Sequence, residues 1–342
     1  MNTVFTAADL QGLRKIGVDS HKGQNGRLLL IGGSHLFHAA SLWSLTVASR
    51  IVDLVHFASV PENNAIVHEC KKEFRNGIVI ERKDIEEYIQ EDDVILIGPG
   101  MNRTQKTQIT NYKLQITNLS ELDEIGDEGE QTQQLTHYLL QKYPEKQWVI
   151  DAGSLQMLSL ADIPPHAILT PHHKEFEGLM EKSEITSALV GNDIQNEQGV
   201  GEVAHSNSRV LQSFVSTQAP SVKNSNLTVL PVTMIDQVQA FAKKYQCIVL
   251  LKGQVDIVSD GEKIVEITGG NAGMTKGGTG DVLAGLISAL ATTNDPFLAT
   301  CAGSFINKSA GDALYTTVGP YFNATDLANE IPKVMGKIIR NA

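Results

Sequence analysis

Along most of the chain, hydrophobic and polar positions repeat in one pattern. Short runs rich in Ile, Val and Leu stop at a glycine or another turn residue, and each is followed by an amphipathic stretch of helical period. Arg27–Ile31 stops at Gly32-Gly33-Ser34, 54–60 at Pro61, and Val94–Ile97 at Gly98-Pro99-Gly100; 148–150 stops at Asp151, 167–169 at Thr170-Pro171, and Ile248–Leu251 at Lys252-Gly253. Strands without a polar face are buried on both sides, so the pattern predicts an α/β fold with a mainly parallel central sheet flanked by helices. The runs 255–259 and 263–267 flank Asp260-Gly261, a hairpin signal that adds an antiparallel edge. From Val282 onward the chain reads as helical. Ligands of such sheets bind outside the carboxyl ends of the strands, where this chain places Gly, Asp, His and Lys.

Two polar stretches interrupt the pattern, 103–134 and 183–230. Dominated by Gln, Thr, Asn, Ser and acids, they read as surface insertions, dispensable for chemistry, in a single domain spanning 1–342. With 42% apolar and 20% charged residues the chain has material for a large core. Its formal charge of −11 excludes a surface that grips nucleic acid or anionic membrane as a whole, while leaving room for a local anion pocket. Cys70, Cys247 and Cys301 form no CxxC pair, which excludes a disulfide framework or zinc module, suits a reducing cytoplasm and makes them small core residues. No HExxH or HxxxH marks a transition-metal site, and His35 and His38 read as a local helix pair. No apolar run nears the roughly 18 residues of a membrane span, and the first residues lack a signal-peptide pattern.

The densest chemical signal is 269–281, GGNAGMTKGGTGD, followed by VLAGLISALA. Glycines 277, 278 and 280 let backbone N–H groups approach a ligand, and the helix starting near Asp281 adds its positive end, which together make an anion hole suited to phosphate. A carboxylate there repels phosphate unless it has another task. Asp281 therefore reads either as a helix cap or as a base that takes the proton of a hydroxyl attacking phosphorus. The spacing matches neither a P-loop nor a Rossmann fingerprint. Lys276 and Lys252 are candidate phosphate partners, the latter alternatively snorkelling to solvent.

GMTKGGTGDVLAG (273–285) resembles the anion-hole and catalytic-aspartate motif of the ribokinase-like superfamily, in the form found in ADP-dependent NAD(P)H-hydrate dehydratases. HKGQNGRLLLIGGSHLFHAA (21–40), VILIGPG (94–100), VIDAGSL (149–155), ILTPHHKEFEGL (168–179), IVLLKG (248–253), KSAGDAL (308–314) and NATDL (323–327) match in the same order. The resemblance implies a ribokinase-like fold and a lyase of nucleotide repair. C6-hydrated NADH or NADPH is phosphorylated on its C6 hydroxyl by ADP, or by ATP, with Mg2+ on the nucleotide, and then loses phosphate.

On that resemblance Asp281 is the catalytic base, and the N–H groups of Gly277, Gly278, Thr279 and Gly280 form the anion hole. Ala40, Gly100, His172 and Asp281 line the substrate side. Lys252, Gly253, Gln254, Val255, Asp256 and Gly280 hold the nucleotide, and Asn271 and Asp312 support them. It further implies a cytoplasmic homo-oligomer, with a separate epimerase in the same pathway because the match begins near residue 21. The chain departs from the family around Ser49–Asp53 of the sequence, at Met101-Asn102 and at His173-Lys174-Glu175, on the substrate side. The alternatives are a small-molecule kinase of the same fold, acting on a vitamin precursor or sugar, and a nucleotide-binding relative without catalysis.

Overall fold

The computed structural model describes residues 3–104, 115–183 and 233–341. Its strands are β1 (Thr3–Val4), β2 (Arg27–Ile31), β3 (Leu54–Ala58), β4 (Ile78–Ile80), β5 (Val94–Ile97), β6 (Gln147–Ile150), β7 (Ile168–Leu169), β8 (Ile248–Leu251), β9 (Asp256–Ser259) and β10 (Ile264–Ile267). They form one ten-stranded sheet in the order β1-β10-β9-β8-β7-β6-β5-β2-β3-β4. From β4 to β8 every pairing is parallel. At β9 the direction reverses, and β9 and β10 make the expected antiparallel hairpin. The sequence pattern did not mark β1 or β4, whose two and three residues are too short to show a period.

Helices α1 (His38–Ala48), α2 (Pro61–Cys70), α3 (Ile85–Glu91), α4 (Glu128–Lys142), α5 (Ala152–Met157), α6 (His173–Ser183), α7 (Met234–Tyr245), α8 (Thr279–Ala291), α9 (Pro296–Val318) and α10 (Ala324–Asn341) cover the sheet. Alternate strand residues point to opposite faces. Leu28, Leu30, Val94, Leu96 and Val149 pack with Val282, Leu286, Ile306 and Leu327 of α8, α9 and α10. Leu29, Ile31, Ile95, Ile97 and Trp148 pack on the other side with Ile89, Leu139, Phe176 and Phe241 of α3, α4, α6 and α7. Helix α8 is buried on nearly every side, as its unbroken run of Val, Leu, Ile and Ala requires. A side chain at Gly285 would collide with the backbone of Ser44 on α1, so α1 and α8 meet at close range.

The stretch 103–134 is not a detachable surface insertion where it is described. Of its described apolar residues, Ile116, Leu119 and Leu122 are buried in the core beneath α4 and Ile125 packs half-buried against them. A 3-10 turn, Leu119–Glu124, is capped by Asn118, and α4 opens inside the stretch with Asp127 accepting from Glu130 N at 2.8 Å. Low apolar density hid a segment that places three side chains in the core. Residues 105–114, and the expected insertion 183–230 beyond Ser183, lie outside the described residues. Cys247 and Cys301 are core residues, whereas Cys70 is only half-buried. No helix among the described residues is long and apolar enough to cross a membrane.

Candidate active site

The ends of the parallel strands are stitched into a common rim. Gly32 N donates to Ala58 O, Gly98 N to Ile31 O, Asp151 N to Ile97 O, and Thr170 N to Ile150 O. Lys252 joins the same row, its N donating to Pro171 O at 2.8 Å. The first residue after each run is therefore held at one level, which is why the run-ending residues of the sequence converge.

Helix α8 approaches this rim with its N-terminus. Gly278 is the N-cap, with φ of 94°, a left-handed conformation that glycine adopts freely, and a Cβ there would meet the Trp43 ring at 2.3 Å. Glycine offers no side chain to cap the first turn, whose N–H groups have no acceptor within the helix and carry the positive end of its dipole; Thr279 N donates to Lys276 O at 3.4 Å in the loop before it. Asp281 is the third residue of α8 and does not cap it. Its main chain is fixed from α1, where Ser44 Oγ donates to Asp281 O at 2.7 Å.

Four charged groups meet beside that turn. Lys252 Nζ lies 3.1 Å from Asp151 Oδ1, and the same oxygen accepts from Thr170 Oγ1 at 2.7 Å. A methyl group at Gly280 would sit 3.6 Å from Lys252 Nζ, so the ammonium reaches the first turn of α8 and does not snorkel away. Burial pushes the Asp281 carboxyl up to about 7; Asp151 and Glu175 add to the rise, while Lys252 and the residue's own N–H oppose it. Burial works against the Lys252 ammonium, but Asp151, Glu175 and Asp281 outweigh it and hold its pKa above the ordinary lysine value.

On the nucleotide side of the sequence reading, Gly253, Gln254 and Val255 form the turn after β8, with Gln254 and Val255 exposed. Asp256 is buried and its carboxylate is already engaged, accepting from Gly253 N at 2.8 Å and Ser304 Oγ at 2.7 Å and pairing with Lys308 at 3.2 Å. It shapes the turn. Lys308 also donates to the carbonyls of Gly253, Gln254 and Gly269. Asn271 and Asp312 bond to each other at 2.9 Å, and Asp312 also takes Gly270 N, which fixes the entrance to the glycine loop. Lys276 is turned aside onto the carbonyls of Gly273 and Pro320 and over the Phe322 ring.

On the substrate side of the sequence reading, Ala40 and Gly100 are brought together: a Cβ on Gly100 would lie 2.9 Å from Ala40 Cβ and 2.4 Å from Phe37 O. His172 forms a parallel bridge with Lys252 and is exposed, its N donating to Glu175 Oε2 at 2.9 Å. His35 and His38 are not a helix pair; only His38 lies in α1, and His35 pairs with Glu128 at 2.6 Å.

Sequence reading assigned no role to Asp151, Thr170, Glu175, Lys308 or Glu128. Asp151 and Thr170 were within reach, because each directly ends a strand run as Gly98 and Lys252 do. Glu175, Lys308 and Glu128 are lone charges on helices, and only the tertiary packing selects them.

A family model described as NAD(P)H-hydrate dehydratase matches residues 28–218 and 226–333. The bifunctional NAD(P)H-hydrate repair enzyme of Methanocaldococcus jannaschii is 31% identical over 335 residues, covering 96% of this chain and 51% of that protein. The chain thus spans about half the length of that relative. The ADP-dependent (S)-NAD(P)H-hydrate dehydratase of Cenarchaeum symbiosum is 26% identical, with 93% of this chain and 91% of that protein covered. Among solved structures, a ribokinase-like superfamily protein of Enterococcus faecalis superposes with a TM-score of 0.69 at 20% identity, over 98% of this chain and 96% of that one. An ADP/ATP-dependent NAD(P)H-hydrate dehydratase of Bacillus subtilis, co-crystallised with ATP/Mg2+, gives 0.67 at 18%, over 98% and 99%. Both structural likenesses establish the ribokinase-like fold.

Proposed function

The chain belongs to the NAD(P)H-hydrate dehydratase family, and on that premise we propose that it dehydrates C6-hydrated NADH and NADPH at the expense of ADP. The observation that carries the proposal is Asp281, a carboxylate in the first turn of a glycine-led helix, faced by Lys252 and held at about 7.

Hydroxide is a poor leaving group at neutral pH, so the C6 hydroxyl must be activated. Asp281 accepts its proton as the oxygen attacks the terminal phosphorus of ADP; the new C6–O–P linkage forms as the bond to AMP breaks. The N–H groups of Gly277, Gly278, Thr279 and Gly280 and the Lys252 ammonium stabilise the charge on the phosphoryl oxygens. The ring nitrogen lone pair then expels phosphate, and loss of a C5 proton restores the dihydropyridine. A pKa near 7 leaves Asp281 ionised enough to act and basic enough to take a hydroxyl proton. Asp151 and Thr170 orient Lys252 without touching substrate. Ala40, Gly100 and His172 border the nicotinamide side, and Gly253, Gln254, Val255 and Gly280 the spent nucleotide, with Asp256 fixing that turn.

Among the described residues no cluster of three His, Cys, Asp or Glu is placed to hold a metal. A Mg2+ bound with the nucleotide would neutralise charge on its phosphates.

The test is the purified chain with Mg2+, hydrated NADH and either ADP or ATP. Recovery of the reduced-nicotinamide absorbance with release of phosphate and AMP is expected. A stable phosphorylated product would make the protein a kinase, and no recovery with either nucleotide would overturn the proposal.

A further inference from the structure

Two loops carry the substrate side of the rim, the one after β2 leading to Ala40 and the one after β5 containing Gly100. Their backbones already touch, Gly33 N donating to Pro99 O at 2.7 Å. Their far ends meet through Ser34 Oγ, which donates to Asn102 Oδ1 at the long distance of 3.5 Å, and through a single carboxylate from elsewhere in the chain. Glu128, the first residue of α4, accepts His35 N at 3.2 Å through Oε1, pairs with His35 Nδ1 at 2.6 Å through Oε2, and takes Asn102 Nδ2 on that same oxygen. One side chain thus holds a residue of each loop. The Glu128 side chain is only 18% exposed although its partner His35 is 62% exposed, so the clasp closes from the protein side.

The backbone next to it is equally committed. Gly129 abuts the main chain of Arg103 and Thr104, where a Cβ would come within 2.1 Å of Thr104 N, so the start of α4 packs backbone to backbone on the segment that follows the second loop. Asp127 caps α4, and Gln131 is held by Arg82 at 2.9 Å and by the Ile125 carbonyl at 2.6 Å. The start of α4 is therefore a post beside both loops, and a small cavity of about 20 Å³ lined by Gly33, Ser34, Asn102 and Glu128 lies between it and the two loops.

We infer that Glu128 is a positioning residue that clasps the two substrate-side loops and so sets the spacing of Ala40 and Gly100 for the hydrated dinucleotide. It does not touch the reacting atoms. The inference rests on the proposed function for its kinetic consequence, and on geometry alone for the clasp.

Two measurements on the full chain test it. In the dehydratase assay, Glu128→Ala raises KM for hydrated NADH about tenfold, the loss of hydrogen bonds to one charged acceptor. KM for ADP and kcat change less than about twofold. Glu128→Gln, whose amide oxygen can keep His35 N but whose NH2 would face the Asn102 Nδ2 donor, recovers only part of the loss. In amide hydrogen exchange, Glu128→Ala speeds exchange at 33–40 and 98–102 and leaves 279–285 unchanged. An unchanged KM for hydrated NADH, or equal changes in both Michaelis constants, would overturn the kinetic role. Unchanged exchange at both loops would overturn the clasp itself. If the wild-type chain shows no turnover, the proposed function fails while the exchange experiment still decides the clasp.

Discussion

Replacing Asp281 by Asn should make the protein more stable, and only above a definite pH. An ordinary aspartate titrates near 3.8, whereas burial and the nearby acids push Asp281 up to about 7. The folded chain therefore binds a proton more tightly here than the unfolded chain does. Stability from this group is complete below about pH 4 and falls as the pH rises towards 7, where the unfolded state has released its proton and the folded state has not. At ~1.4 kcal/mol per pH unit the loss amounts to about 4 kcal/mol, on the scale of a whole domain's stability margin. Asn keeps the shape and the position in the first turn but carries no charge. Guanidinium unfolding of both proteins at intervals from pH 4 to 8 is the assay. The two should be equally stable near pH 4, diverge in favour of Asp281→Asn through pH 5 to 7, and run parallel above. The same variant should lose turnover while still binding ADP. A difference that stays flat with pH, or that widens towards acid, would refute the account of Asp281 as a buried, charge-crowded carboxyl.

Four further outcomes follow from the geometry. Lys252→Met removes the cation that lowers the Asp281 pKa; kcat/KM for ADP should fall on the order of a hundredfold, and the acid limb of the pH–rate profile should move to higher pH. Gly98→Ala places a Cβ 1.8 Å from Asp151 O at a φ of 122°, and should cost about 3 kcal/mol in denaturant unfolding or abolish soluble expression. Lys308→Met strands the Asp256 carboxylate and three backbone carbonyls, and a loss of about 3–5 kcal/mol is expected in the same measurement. Leu122→Ala, inside the polar stretch 103–134, should cost about 2–4 kcal/mol because Leu122 is wholly buried; a dispensable insertion would tolerate the change unaltered.

The sheet was legible because its strands are buried on both faces. Arg27–Ile31, Val94–Ile97 and Ile248–Leu251 have the same bounds in sequence pattern and structure, since an unbroken apolar run has no second use in a polar chain. The glycine loop was legible for a related reason: few purposes other than close ligand approach require Gly277, Gly278 and Gly280 together. The charge pattern around Asp281 was not. Asp151 and Glu175 come from segments far apart in sequence, and a carboxylate's partners leave no periodicity. Nor did composition separate a loop from a structural post in 115–134, because there three buried side chains and the half-buried Ile125 secure a segment otherwise polar or glycine.

The Asp151, Glu175, Asp281 and Lys252 group has a further consequence for how ligands arrive. Three acids share one ammonium, so the rim carries a surplus of negative charge at the place proposed to receive a polyanion. Proton linkage then ties occupancy to protonation. A nucleotide arriving without a counter-cation deepens the negative potential and draws a proton onto Asp281, whereas one arriving with Mg2+ has less need of it. Charge neutralised on the phosphates would thus spare Asp281 that proton and leave its carboxylate in the ionised state that the proposed reaction requires.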